Sequence, residues 1–254
     1  MCEQMGTIGR EWLHVIVWSR DERRTTMPAI EFPRGGRANG GIDNAGESHL
    51  PCVVLADTSL SMSDAVADLN KGLVEMGEQI KENNEARGKV EICVIQFDDS
   101  ARIVKAFGSM YDYKAPVLDA GGTTHMHEAV DAAINEIQIR RKQYKELGVS
   151  SLKPWIFLMT DGAPTDTNNG AFDRLAKLQE EDGWNYFPVA VGNHADVDFL
   201  KRNNAKGFVL TAGKDRFDSV FEFLSDSLSM VSVGNPGSTE SVRPTDYEGI
   251  QINI

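Results

Sequence analysis

Leu50-Pro51-Cys52-Val53-Val54-Leu55-Ala56-Asp57-Thr58-Ser59-Leu60-Ser61 is the stretch from which the architecture can be read. Leu50 to Ala56 is a nearly continuous apolar run with β-branched Val53 and Val54, the pattern of a strand buried on both faces. Asp57 ends it. Apolar residues then recur at Val66, Leu69, Leu73, Met76 and Ile80, a spacing that puts them on one face of a helix. A buried strand, a polar turn and an amphipathic helix are the opening of a parallel α/β unit.

The same alternation continues downstream. Val90 to Phe97 reads as a second strand and Ile103 to Phe107 as a third, joined by Asp98-Asp99-Ser100, a turn that suits an antiparallel hairpin. Met126, Ala129, Val130, Ala133, Ile134 and Ile137 mark one face of a second long helix. Trp155 to Met159 is another apolar strand, followed by a polar loop and a short helix through Phe172, Leu175 and Leu178. Phe187 to Val191 and Phe208 to Leu210 supply two more strands around a short helix at Val197 to Leu200, and a closing helix runs from Phe217 to Val231. Strands separated by helices imply right-handed crossovers, hence a three-layer α/β/α fold. The expected sheet is mostly parallel and six-stranded, with one antiparallel edge strand.

The boundaries follow from composition. Residues 19–49 carry charges, Pro28, Pro33 and a cluster of glycines without helical or strand period, and residues 1–49 are expected as a flexible extension, of which residues 1–26, upstream of Met27, contribute little to the fold. The domain is expected over residues 50–233, with residues 234–254 as a flexible Gly/Pro/Ser tail.

Bulk properties exclude several functions. The 254 residues carry 26 Lys and Arg against 38 Asp and Glu, a net charge of -12 that disfavours nucleic acid and anionic membranes as partners. Trp12 to Trp18 is apolar but far short of the roughly 20 residues that span a bilayer. Cys2, Cys52 and Cys93 are an odd set without Cys-x-x-Cys spacing, which fits a reducing cytoplasm, and Cys52 and Cys93 are expected as small core residues.

Chemistry is expected where polar residues gather at the carboxyl ends of the strands. Asp57-Thr58-Ser59-Leu60-Ser61 ends the first strand, Gly121-Gly122-Thr123-Thr124 precedes the second long helix, and Thr160-Asp161-Gly162 ends the fourth strand. Hard divalent cations take oxygen ligands, and Asp57, Ser59, Ser61, Thr123 and Asp161 offer two carboxylates and three neutral hydroxyls. Two carboxylates neutralise a dication, and the hydroxyls leave it electrophilic enough to accept an acidic side chain.

In these three segments the chain resembles the von Willebrand factor type A domain, over roughly Leu50 to Val233. The family's metal-ion-dependent adhesion site, Asp-x-Ser-x-Ser with a distant Thr and a Thr-Asp-Gly aspartate, falls on Asp57, Ser59, Ser61, Thr123 and Asp161. The resemblance implies a Rossmann-like fold and a non-enzymatic module that binds Mg²⁺, with Mn²⁺ or Ca²⁺ as other candidates, and through it an Asp or Glu of a protein partner. Lys153 to Asp166 is most similar to the bacterial tellurium-resistance-associated, TerY-like subgroup. That likeness implies a cytoplasmic stress-response protein whose partners include a protein kinase or a metal-dependent phosphatase.

Rival readings are a metal-assisted hydrolase using the same carboxylates and a metal-free scaffold in which they only cap and hydrogen-bond. Neither a P-loop nor a Gly-x-Gly-x-x-Gly fingerprint is present. His125 and His127 lie two apart on a helix, about 200° around its axis, so they do not share a metal and are expected at the surface. His49, His194, Asp98, Asp99, Asp119 and Asp166 are expected as solvated loop and turn residues.

Overall fold

The computed structural model describes residues 47–233 and 244–254. The expected extension up to residue 46, including residues 1–26, and residues 234–243 of the expected tail lie outside the described residues. In chain order the elements are β1 (Ser48–Asp57), α1 (Val66–Glu82), α2 (Ala86–Lys89), β2 (Val90–Phe97), β3 (Ala101–Lys105), α3 (Met126–Glu146), β4 (Ser150–Ser151), β5 (Trp155–Thr160), α4 (Ala171–Glu181), β6 (Asn185–Val191), α5 (Val197–Arg202), β7 (Val209–Ala212), α6 (Phe217–Val233) and β8 (Gln251–Asn253).

The sheet is mostly parallel and runs β3-β2-β1-β5-β6-β7-β8, with β4 beside the start of β1. Among the described residues it has eight strands rather than the expected six, and both edges are antiparallel, β3 on β2 and β8 on β7. The two extra strands escape a reading by periodicity for a physical reason: Ser150–Ser151 and Gln251–Asn253 are too short and too polar to show one. β8 covers the hydrogen-bonding edge that β7 would otherwise leave open. Residues 244–254, expected as a tail, are anchored beside it. Ile250 is buried, and Tyr247 packs on Phe223 of α6 and donates to Asp226 at 2.7 Å.

Alternation along the central strands divides the core into two layers. Cys52, Val54 and Ala56 of β1 face the side covered by α1 and α6, while Val53 and Leu55 face the side covered by α3, α4 and α5. Cys52 and Cys93 are buried free thiols on neighbouring strands but on opposite faces, so they cannot pair; burial raises the pKa of both.

His49 corrects the sequence reading, because it lies within β1 and is buried. Its Nδ1 meets Glu91 Oε1 at 3.0 Å, while Glu91 Oε2 accepts from Arg140 Nε at 2.5 Å and Tyr144 Oη at 2.7 Å. This buried set ties α3 to the amino ends of β1 and β2, opposite the polar crest. Burial disfavours the Glu91 carboxylate, but hydrogen bonds from His49 and Arg140 outweigh it and hold its pKa below the ordinary value.

α1 and α6 pack closely because Gly72 lies under the Phe221 ring: a Cβ at position 72 would fall 2.1 Å from Phe221 Cδ2. Gly72→Ala improves helix propensity yet overpacks this contact. It is expected to lower unfolding free energy by about 1–3 kcal/mol in a urea melt. A neutral or stabilising result would contradict the packing.

Candidate metal centre

The polar crest lies at the carboxyl ends of β1 and β5, where the strand order reverses between β2 on one side and β5 on the other. Asp57 is the last residue of β1 and Asp161 follows the last of β5. Four of the five expected site residues are joined by hydrogen bonds. Asp57 Oδ1 accepts from Ser59 N at 2.8 Å, Ser59 Oγ and Ser61 Oγ are 3.1 Å apart, and Ser61 Oγ donates to Asp161 Oδ1 at 2.6 Å. A hydroxyl has one proton, so Ser61, which donates to Asp161, must accept from Ser59. Leu60 turns outward, 68% exposed, and takes no part in this chain.

Thr160 holds Asp57 in place. Its Oγ1 donates to Asp57 Oδ2 at 2.5 Å and accepts from Gly162 N at 3.2 Å, so one hydroxyl sets both the carboxylate and the Thr-Asp-Gly turn. Burial pushes the Asp57 carboxyl up to about 6, against the lowering effect of the hydrogen bonds from Thr160 and Ser59, with the charge of Asp161 raising it further.

Thr123 is placed differently. Its N–H and its hydroxyl both donate to Asp99 Oδ1 at 2.8 Å, and no hydrogen bond joins it to the other four among the described residues. Asp99, expected as a solvated turn residue, is exposed but engaged, and the Thr123 hydroxyl and then its N–H hold its carboxyl below the usual range. Gly122 makes the loop possible: its φ is 71° and a Cβ would fall 2.8 Å from the Asp99 carboxylate. The next residue, Thr124, is buried and faces the turn that carries Asp161, with Oγ1 3.7 Å from the Cβ position of Gly162. Thr124 and Thr165 exchange bonds of 2.9 Å, which lock the two loops together.

The sequence missed several further contacts. His127, expected at the surface, is buried, with Nδ1 2.9 Å from Asp166 Oδ1 and edge contacts to Phe172 and Phe199. Asp166 also accepts from the N–H groups of His127 and Glu128, capping α3 from the loop after β5. Asp98 is buried and paired with Arg102, whereas Asp119, His125 and His194 are partly or wholly exposed. Lys214, in the loop after β7, reaches the crest, with Nζ 2.9 Å from Asp161 Oδ2.

The donor set fits a hard cation. Asp161 Oδ2 is buried and accepts no aligned hydrogen bond among the described residues; the nearby Lys214 ammonium forms an ion pair outside hydrogen-bond alignment. The two serine oxygens keep lone pairs after their protons are used. No cluster of three or more His, Cys, Asp or Glu occurs among the described residues, so the crest's donors are carboxylates diluted with hydroxyls.

Residues 52–212 of the 254 match the von Willebrand factor type A domain. The chain belongs to that family. Domains of this type commonly mediate metal-dependent protein interactions. No curated protein sequence matches this chain significantly. Among solved structures, the type A domain resembles proximal thread matrix protein 1 from the mussel byssus (TM-score 0.54, 15% identity, 73% of this chain and 47% of that one). It also resembles the von Willebrand domain of the type V pili tip protein Mfa5 from Porphyromonas gingivalis (TM-score 0.55, 10% identity, 76% of this chain and 99% of that one). A third likeness is the pilus adhesin SpaC from Lactobacillus rhamnosus GG (TM-score 0.54, 10% identity, 84% of this chain and 38% of that one). The chain thus spans about half of the mussel protein and nearly all of the Mfa5 domain. At these identities the likeness is one of fold. Among the described residues no helix is long and apolar enough to cross a membrane.

The raised pKa of Asp57 gives a signed expectation for this type A domain without metal. Between pH 3.8 and about 6 the unfolded chain gives up the Asp57 proton while the folded chain keeps it, so stability falls as pH rises through that window. Asp57→Asn removes this titration. In chelator-treated protein, the stability of Asp57→Asn relative to wild type is expected to rise by about 2–3 kcal/mol from pH 4 to pH 7. A difference that stays flat across that range would show that Asp57 is not buried as described.

Proposed function

We propose that this type A domain captures a protein partner through a divalent cation held at the crest, with an Asp or Glu of the partner completing the ion's coordination. The observation that carries the reading is the convergence of Asp57, Ser59, Ser61 and Asp161 in one hydrogen-bonded chain whose last buried oxygen, Asp161 Oδ2, accepts no aligned hydrogen bond. Asp57 and Asp161 would supply the charge, Ser59 and Ser61 the neutral donors. Thr124, rather than the neighbouring Thr123, takes the fifth position in this reading, since Thr123 is committed to Asp99.

Mg²⁺ is the ion best suited to few charged ligands and an open position, and Mn²⁺ and Ca²⁺ accept the same oxygen donors. Binding rather than turnover is the role proposed for the crest, in keeping with the metal-dependent protein interactions that type A domains commonly mediate. Assignment to the TerY-like subgroup, and with it a stress-response role in the cytoplasm and a kinase or metal-dependent phosphatase as partner, rests on the likeness of residues 153–166 and of the closing helix Val220 to Val231.

Thermal melts and calorimetric titration with Mg²⁺ and Mn²⁺ test the reading. A ligand that binds only the folded state raises its stability, and an open site of this kind is expected to bind at about 10⁻⁴ to 10⁻³ M. Asp57→Ala should abolish the response, Thr124→Val should weaken binding about tenfold, and Thr123→Val should leave it near wild type. Damage from Thr123→Val alone would return the fifth position to Thr123. Equal melting of wild type with and without metal would favour a metal-free scaffold.

A further inference from the structure

We infer that the Lys214 ammonium is a built-in counter-ion of the crest, which a divalent cation must displace from Asp161 in order to bind. The inference rests on the metal reading proposed above and concerns what sets the strength of that site.

Lys214 lies two residues past the end of β7, and β6 separates β7 from β5, so its side chain has to cross the end of β6 to reach Asp161. Gly192, immediately after β6, provides the crossing. A Cβ there would fall 3.2 Å from Lys214 Cγ and 3.4 Å from its Cε, so any larger residue would press on the lysine stem. Gly192 also has a φ of 71°, and its N–H donates to Ala212 at 2.8 Å, which keeps the two loops side by side.

At its far end the ammonium meets three oxygens. Nζ donates to Ser61 O at 2.7 Å and to Asp64 Oδ1 at 2.8 Å, and lies 2.9 Å from Asp161 Oδ2. Two of the three ammonium protons go to Ser61 O and Asp64, and Asp161 Oδ2 is met as an ion pair rather than an aligned hydrogen bond. Asp161 is buried, and a buried carboxylate without a counter-charge is costly; Lys214 supplies that charge in the absence of metal. Asp64 is exposed and Ser61 O belongs to the crest, so the two give the ammonium a resting place off the carboxylate.

A dication and an ammonium cannot share Asp161 Oδ2, because like charges at contact distance repel strongly where water is partly excluded. Metal affinity is therefore the outcome of a competition between one tethered monocation and one free dication. Lys214 weakens the site, makes its loading reversible and holds the crest together when the ion leaves.

The test uses the full chain, stripped by chelator, titrated with MgCl₂ and MnCl₂ by calorimetry at fixed ionic strength. Lys214→Met is expected to bind either ion about tenfold more tightly than wild type, and to melt at a lower temperature than wild type when no metal is present. Unchanged or weaker binding by Lys214→Met, with wild type responding and Asp57→Ala silent, would overturn the role of Lys214 and leave the metal reading intact. No binding by either wild type or Lys214→Met would overturn both. Should Lys214→Met fail to fold, wild type still decides: the ¹⁵N-edited lysine ammonium resonance that is missing from Lys214→Arg is expected to shift on Mg²⁺ titration with the calorimetric midpoint. A resonance unmoved at saturation would overturn the inference.

Discussion

Asp57 and Asp161 stand at the ends of neighbouring strands, both buried, and the cost of taking their carboxylates out of water, to which mutual repulsion adds a smaller part at Asp57, is the constraint around which the crest is organised. Each surrounding contact answers part of it. Thr160 and Ser59 N donate to Asp57, Ser61 donates to Asp161, and Lys214 brings a positive charge to the remaining oxygen. The burial that makes the pair costly also makes it selective. In a partly dry setting a cation is held more strongly by two carboxylates than it would be at an open surface. The proposed site thus lies where burial of charge costs the fold most, as is common for functional sites.

The sheet supplies the geometry. β1 and β5 are adjacent and parallel, with Ala56 beside Met159, so the residues that follow emerge side by side at one edge. α1 and α3 then leave that edge on opposite faces, and their opening loops close over it. Gly121 N bonds to Thr58 O at 2.7 Å and Leu60 N to Gly122 O at 3.1 Å, so the first and second crest loops are stitched by backbone as well as by side chains. At the other end of the sheet the His49, Glu91, Arg140 and Tyr144 set fixes α3 against β1 and β2. The loop before α3 is in this way held from both ends of the helix, by Asp166 near its start and by Glu91 near its finish.

Much of this was legible in the sequence because burial writes itself as periodicity. The long central strands and the helices α1, α3 and α6 each bury enough apolar surface to leave a pattern, and Asp57, Ser59, Ser61 and Asp161 stand in motifs beside them. What was not legible is pairing at a distance. β4 and β8 are defined by the strands they join rather than by their own residues. His49 and His127 look solvated until Glu91 and Asp166 are brought to them. Thr123 and Thr124 are indistinguishable as letters, whereas the fold leaves Thr123 exposed against Asp99 and buries Thr124 against Thr165. Lys214 is 153 residues from Ser61, with no motif of its own, and its path over Gly192 exists only in the fold.

The proposed function requires a divalent cation among Asp57, Ser59, Ser61 and Asp161. Crystals of the full chain grown or soaked with MnCl₂, with anomalous data collected near the manganese edge, test it directly. One anomalous peak is expected at the crest, within coordinating distance of both serine hydroxyls and at least one of the two carboxylates, absent from Asp57→Ala. A crest that stays free of anomalous signal at tens of millimolar MnCl₂, with Lys214 still against Asp161, would contradict it.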